Sequence, residues 1–213
     1  MNYFVKNNLN LYNMDCMELM KKYPDNYFDL AIVDPPYGLG SRLVEGGGKG
    51  IMGKYKEEYR LKQWDEEIPS AEYFKQLFRV SKNQIIWGGN YFIDHLYNTR
   101  GIICWDKKQM MPSMSRWEMA WSSFDKVAKT YEVRSQEKNR FHPTQKPVKL
   151  YSWILQNYAK AGDKILDTHL GSGSIAIACH DMNFNLTGCE IDQDYFGKMC
   201  ERINIHTAQL QLF

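Results

Sequence analysis

The sequence predicts an α/β domain built on a doubly wound, mostly parallel sheet. Three observations carry this. Short apolar runs alternate with helical patterns along the chain. One run, Lys164–Leu166, leads into a glycine turn at Gly171-Ser172-Gly173 and then a helical pattern, which is the strand–turn–helix unit of nucleotide-binding sheets. A second run, Leu186–Glu190, follows and ends on an acid, as such units do.

The elements follow in chain order. Leu9–Asn13 and Tyr27–Val33 read as strands. Ser70 can cap a helix whose Tyr73, Phe74, Leu77 and Phe78 share one face. Asn83–Trp87, Gly101–Trp105 and Glu118–Ser122 are further strands. Pro147 suits the first turn of a helix striped by Leu150, Tyr151, Ile154, Leu155 and Tyr158, and Gly162 suits its stop. Asp192 or Asp194 opens a last helix carrying Tyr195, Phe196, Met199 and Ile203. Each stripe is read as core packing.

With 213 residues, 44% hydrophobic and 24% charged, the chain is sized for a single domain over 1–213 and is neither disordered nor collagen-like. No apolar run approaches a membrane span and no signal-peptide core is evident, so a cytoplasmic location is expected. Five scattered cysteines without a Cys-x-x-Cys pair argue against a disulfide framework or zinc ribbon. The histidines show no zinc spacing, so no metal is expected.

The net charge of +2 conceals two basic segments. Residues 41–62 carry +3 and residues 126–149 carry +5, against −6 elsewhere. Basic segments on an acidic body suit a polyanion held on one side; plain solvated loops are the alternative. Lys49, Lys54, Arg134, Lys138 and Arg140 are the candidate phosphate contacts. The loop 38–62 is glycine-rich and should be mobile unless something binds it. It lacks the ending of a P-loop, and reads either as a lid over a substrate or as a floppy loop.

Asp34-Pro35-Pro36-Tyr37 directly follows a strand. The two prolines stiffen the chain and remove two N–H donors, while their carbonyls remain acceptors. Asp34 adds a carboxylate and Tyr37 a flat aromatic face. This set suits a planar ring bearing an exocyclic amino group. Hydrogen bonds from that group to Asp34 and the Pro35 carbonyl would turn the nitrogen lone pair out of ring conjugation, toward an electrophile held in line. A simple turn at a strand end is the alternative. In the second motif, Gly171 and Gly173 let a ligand approach the backbone, and Glu190 can accept from the hydroxyls of a ribose.

Together these motifs resemble the β-class S-adenosylmethionine-dependent DNA amino-methyltransferases, over nearly the whole chain. The order matches that class, with Asp34–Tyr37 early and Asp167–Ser174 late. The resemblance implies a circularly permuted motif order and a seven-stranded Rossmann-like sheet with one antiparallel strand. It implies methyl transfer from S-adenosylmethionine to the N6 of a flipped adenine in double-stranded DNA. Asp34, Pro35, Pro36 and Tyr37 would be catalytic. Asp167, His169, Gly171, Ser172, Gly173 and Glu190 would hold the cofactor. Within Phe141–Pro147, Thr144 and Lys146 would lie near its methionine carboxylate. Asp15-Cys16 would read its adenine. Ile85–Tyr91 resembles a strand beside the target-base pocket, where Tyr91 or Trp87 would stand, with core packing the alternative for Trp87.

Some features depart from the family or add to it. The family usually carries Asp-Pro-Phe where this chain has Asp167-Thr168-His169, so His169 either contacts the cofactor or fills a packing position. The recognition segment, 123–141, is short and implies a short or relaxed target site. No cysteine follows a proline, which does not suit C5-cytosine chemistry. Cytosine-N4 members more often carry Ser in place of Asp34; cytosine-N4 transfer and a catalytically inactive DNA-binding or clamp-tethered subunit are the alternatives. The tail Gln209–Phe213 resembles the pentapeptide by which bacterial replication proteins bind the polymerase sliding clamp; packing on its own domain is the alternative. A restriction-modification setting is implied, with the chain a monomer or a homodimer.

Overall fold

A computed structural model describes residues 2–40, 65, 67–109, 115–135 and 140–208. Residues 41–62 of the glycine-rich loop, 136–139 of the recognition segment and the tail 209–213 lie outside the described residues, and with them Lys49, Lys54 and Lys138.

Among the described residues, nine strands make one sheet: β1 (Asn2–Lys6), β2 (Leu9–Asn13), β3 (Phe28–Val33), β4 (Ser81–Trp87), β5 (Ile102–Asp106), β6 (Trp117–Ser122), β7 (Lys129–Glu132), β8 (Lys164–Asp167) and β9 (Asn185–Glu190). Their order is β1-β2-β9-β8-β3-β4-β6-β5-β7. Five α-helices among the described residues flank it: α1 (Cys16–Met20), α2 (Ala71–Val80), α3 (Val148–Tyr158), α4 (Ser174–Asp181) and α5 (Gln193–Ala208). All seven expected strands are present, and β6 runs antiparallel to both β4 and β5.

The sheet also gains two edge strands. β1 pairs antiparallel with β2 across a tight turn at Asn7, whose φ is +52°. β7 pairs parallel with β5. Neither strand buries a full face. Tyr3 and Val5 of β1 are exposed, and β7 has no buried residue, so little apolar periodicity announces them.

Period-two alternation divides the core between two faces. Leu30 and Ile32 of β3 join one cluster with residues of α3, α4 and α5. Ala31 and Val33 join the other, with residues of α1 and α2. Ser70 caps α2 as expected, accepting from the Tyr73 N–H. Pro147 stands one residue ahead of its expected place, as the N-cap of α3. Gly162 lies beyond that helix in a turn closed from Asp163 to Lys160, with φ +89°, so Ala159 and not glycine ends α3. Asp192 is the residue that caps α5, accepting from the N–H groups of Asp194 (2.9 Å) and Tyr195 (3.0 Å). No described helix is long and apolar enough to cross a membrane.

The arrangement that positions the site is the pairing of β3 with β8, Leu30 beside Ile165 and Ala31 beside Leu166, both strands running the same way. The helix after β8 packs on one face, and the next described helix after β3 packs on the other. A crevice therefore opens at the carboxyl ends of these two strands.

Leu30 is 1% exposed on the central strand. Leu30→Ala is expected to cost about 2–5 kcal/mol, measured as a lower denaturant midpoint with an unchanged slope.

Candidate active site

Asp34 stands just past β3 and borders the crevice, whereas Asp167, which ends β8, is buried behind it and is not part of the cavity lining. A cavity of about 160 Å³ opens there, with Asp34, Pro36, Lys146, Gly171, Ser172 and Glu190 in its lining.

On the β3 side, both oxygens of Asp34 are engaged. The Tyr37 hydroxyl donates to Oδ1 at 2.6 Å, and Lys146 Nζ donates to Oδ2 at 2.5 Å. The Lys146 side chain is only 3% exposed. It lies over the rings of Tyr37 and Trp87, 5.8 and 5.2 Å from their centroids. Its second acidic partner is Glu118, at 3.2 Å. Burial alone would lower the pKa of Lys146, but Asp34 and Glu118 outweigh it and raise the value.

The turn after the two prolines is tied from outside. Asp65 Oδ1 accepts from the N–H of Tyr37 (2.6 Å) and of Gly38 (3.0 Å). The Tyr37 ring stacks on Tyr91, with centroids 4.9 Å apart and planes 15° apart. It also presses on Gly88, just past β4. That residue has φ +70°, and a Cβ there would fall 2.2 Å from a Tyr37 ring carbon, so glycine is required twice over.

On the β8 side, the Gly171 N–H donates to Glu190 Oε2 (2.8 Å) and the Asp192 N–H to Oε1 (2.9 Å). Burial raises the Glu190 pKa, and those N–H bonds oppose the rise. Gly173, with φ +72°, turns the chain into α4; a Cβ there would lie 2.5 Å from Met199 Cγ. Arg202 reaches across from α5 to the Ser172 carbonyl (2.9 Å) and Ser174 Oγ (3.0 Å), bracing the glycine turn. Asp167 is buried, with Oδ1 accepting from the His169 N–H at 2.9 Å. Burial pushes its carboxyl up to about 8; the His169 N–H opposes this, and Asp34 and Glu190 add to it.

His169 fills a packing position, edge-on against Tyr73 at 5.5 Å, and also borders the cavity. Burial lowers its pKa to about 4, which makes it a neutral imidazole near pH 7. Thr144 also lines the cavity, 3.2 Å from His142 Nδ1.

Other expected residues stand elsewhere. Asp15 is the N-cap of α1, accepting from the N–H of Met17 (2.8 Å) and of Glu18 (3.2 Å). Neither Asp15 nor Cys16 belongs to the cavity lining. The Cys16 thiol is pushed up to about 12, by burial first and then by Asp15. Trp87 is fully buried, in keeping with core packing, whereas Tyr91 is 42% exposed. Lys146 does line the cavity, and its nearest acidic partner there is Asp34. Arg140 binds the carbonyls of His142 and Pro143, and so braces the Phe141–Pro147 segment. Arg134 is exposed beyond β7. Sequence reasoning missed Glu118, Lys107, Asp65 and Arg202. Only Glu118 left a sign, as an acid next to the apolar run Met119–Trp121 of its strand. Among the described residues, no group of three or more His, Cys, Asp and Glu side chains is placed to hold a metal ion.

Folding favours the protonated form of Asp167, because its folded pKa of about 8 exceeds the ordinary 3.8. Its stabilisation is full below about pH 3.8 and is lost as pH rises through about 8. His169 has the opposite sign: its contribution is full above 6.5 and is lost as pH falls through about 4. Asp167→Asn should therefore flatten the decline in stability between about pH 6.5 and 8, measured by denaturant midpoints across that range.

Comparison with known proteins agrees with this geometry. The N6_N4_Mtase family, described as DNA methylase, matches residues 107–200. Type II methyltransferase M2.MboI of Moraxella bovis is 26% identical over 238 residues, covering 89% of this chain and 82% of its own length. Type II methyltransferase M.HpaI of Haemophilus parainfluenzae is 24% identical over 229 residues, covering 89% and 72%. Among solved structures, the M1.HpyAVI–SAM complex aligns with TM-score 0.60 at 20% identity, over 91% of this chain and 99% of that one. The PvuII cytosine-N4-specific DNA methyltransferase aligns with TM-score 0.64 at 12% identity, over 100% and 92%. These two likenesses establish a methyltransferase fold of the Rossmann-like type. The family match, the relatives and the motif order thus agree in likening the chain to the S-adenosylmethionine-dependent DNA amino-methyltransferases.

Proposed function

We propose that the chain methylates the N6 amino group of an adenine flipped out of double-stranded DNA. One observation carries the reading: Asp34 and the turn residues Gly171, Ser172 and Ser174 line the same cavity. An acceptor for an amino group and a turn shaped for a nucleoside thus stand together.

S-adenosylmethionine supplies an activated methyl group when bound. The residues on the β8 side fit it. Each Glu190 oxygen accepts one N–H and keeps further acceptor capacity, which suits ribose hydroxyls. Ser172, Ser174 and the first amides of α4 suit its polar end. Asp167 is an acid held largely protonated at neutral pH, and a bound cation would favour its ionised form.

On the β3 side, Asp34 accepts one hydrogen of the target amino group and the Pro35 carbonyl accepts the other. This pair turns the nitrogen lone pair away from the ring and toward the methyl group. Tyr37 offers its ring to the base. Arg134 and the basic segments supply phosphate contacts that weaken as salt rises. Aspartate and not serine at position 34 favours adenine. Cytosine-N4 transfer is the second reading, supported by the stated specificity of the PvuII neighbour. A restriction-modification setting in the cytoplasm fits this activity. We also infer that Gln209–Phe213 engages a sliding clamp; a pull-down should lose the clamp when these five residues are removed.

Nucleosides digested from DNA treated with the protein and S-adenosylmethionine should contain N6-methyladenine by mass spectrometry. N4-methylcytosine would establish the second reading, and no methylated base would refute both. Asp34→Ala should lower turnover by on the order of a hundred- to a thousandfold, because it removes an acceptor in the transition state. Its affinity for S-adenosylmethionine by calorimetry should stay close to the parent's.

A further inference from the structure

Asp34 can orient an amino group only if it is anionic and held in one rotamer. What holds it arrives from the far side of β4. Lys107, Glu118, Lys146 and Asp34 form a row of alternating charge. Lys107 pairs with one oxygen of Glu118, and Lys146 lies 3.2 Å from the other and 2.5 Å from Asp34. Lys107 and Glu118 belong to the stems of the β5–β6 pair, where Trp105 faces Glu118 and the Lys107 N–H donates to the Arg116 carbonyl at 2.9 Å.

Glu118 is charged within this row. Burial would raise its carboxyl pKa, but Lys146 and then Lys107 outweigh burial and hold it at about 2. Lys146 therefore faces two carboxylates. A lysine paired with Asp34 alone would neutralise that carboxylate and weaken it as an acceptor. It would also lose its main partner whenever an amino group drew Asp34 away, and a buried cation without a partner is costly. A second carboxylate removes both difficulties.

We propose that Glu118 is a positioning residue for methyl transfer. It shares Lys146 with Asp34, so that the cation fixes the Asp34 carboxylate while leaving it negative enough to accept from the target amino group. The inference rests on the role given to Asp34 under the proposed function, and deepens it.

The test compares the full-length parent with Glu118→Gln, Glu118→Asp and Lys107→Met. Three quantities are measured: S-adenosylmethionine affinity by calorimetry, KM for DNA, and the single-turnover rate of methyl transfer. Glu118→Gln should lower the transfer rate by about ten- to a hundredfold, as expected when a reacting group is slightly misplaced. Its cofactor affinity and KM should stay within about threefold of the parent's. Glu118→Asp should recover part of the rate, and Lys107→Met should lose less than Glu118→Gln. An unchanged rate in Glu118→Gln overturns the proposal. So does a loss confined to cofactor affinity, which would mean that Lys146 serves the cofactor. If Glu118→Gln does not fold, the graded rates of Glu118→Asp and Lys107→Met decide: both at the parent's rate overturns the proposal. A parent without activity on any DNA refutes the proposed function itself, and a fully active Asp34→Ala refutes only the role of Asp34.

Discussion

Strands β3 and β8 lie side by side, and the chemistry of the molecule depends on that neighbourhood. Asp34 and Asp167 are remote along the chain, yet the register that pairs Ala31 with Leu166 brings their strand ends to one rim. The helices associated with these strands cover opposite faces of the sheet, so neither closes over the rim. Beyond the strand ends the backbone has left its ladder, and its polar groups turn to side chains: Gly171 to Glu190, Tyr37 and Gly38 to Asp65. The same condition that frees these groups makes the rim receptive to a polar guest.

Buried charge at the rim is not there for stability. Taking Lys146, Glu118 and Asp34 out of water costs several kcal/mol per ion, and their mutual attraction does little more than offset that cost. A well-packed apolar set would hold the same elements together at least as firmly. Such a set would contain no hydrogen-bond acceptor at position 34. The charges are better understood as a functional expense borne by a core that is otherwise apolar on both sheet faces.

Much of this architecture was legible in the sequence because burial imposes period. Seven strands and three helices each hide a face, and Leu150, Ile154 and Leu155 of α3 announce themselves by spacing. β1, β7 and α1 did not, being short or half exposed. The motifs were legible as motifs, but their partners were not. Lys146 could be read as a cation of the site, whereas its pairing with Glu118 joins two elements separated in sequence and leaves no periodic trace. Asp15 illustrates the reverse. An acid ahead of a short helix serves as a cap by local chemistry alone, and that is where its carboxylate is found. His169 packs on Tyr73 and borders the cavity at once, because in so small a cavity one ring can do both.

The stacked pair of Tyr37 and Tyr91 has an energetic consequence for any guest. Two rings in this arrangement gain about 0.5–1.5 kcal/mol beyond their buried area. A nucleobase stacked on a protein ring is worth about 1–3 kcal/mol. A guest that takes the place of Tyr91 against Tyr37 therefore gains only the difference, which is close to zero for a ring that stacks poorly. Any ring that stacks on this face of Tyr37 must first offset the contact with Tyr91.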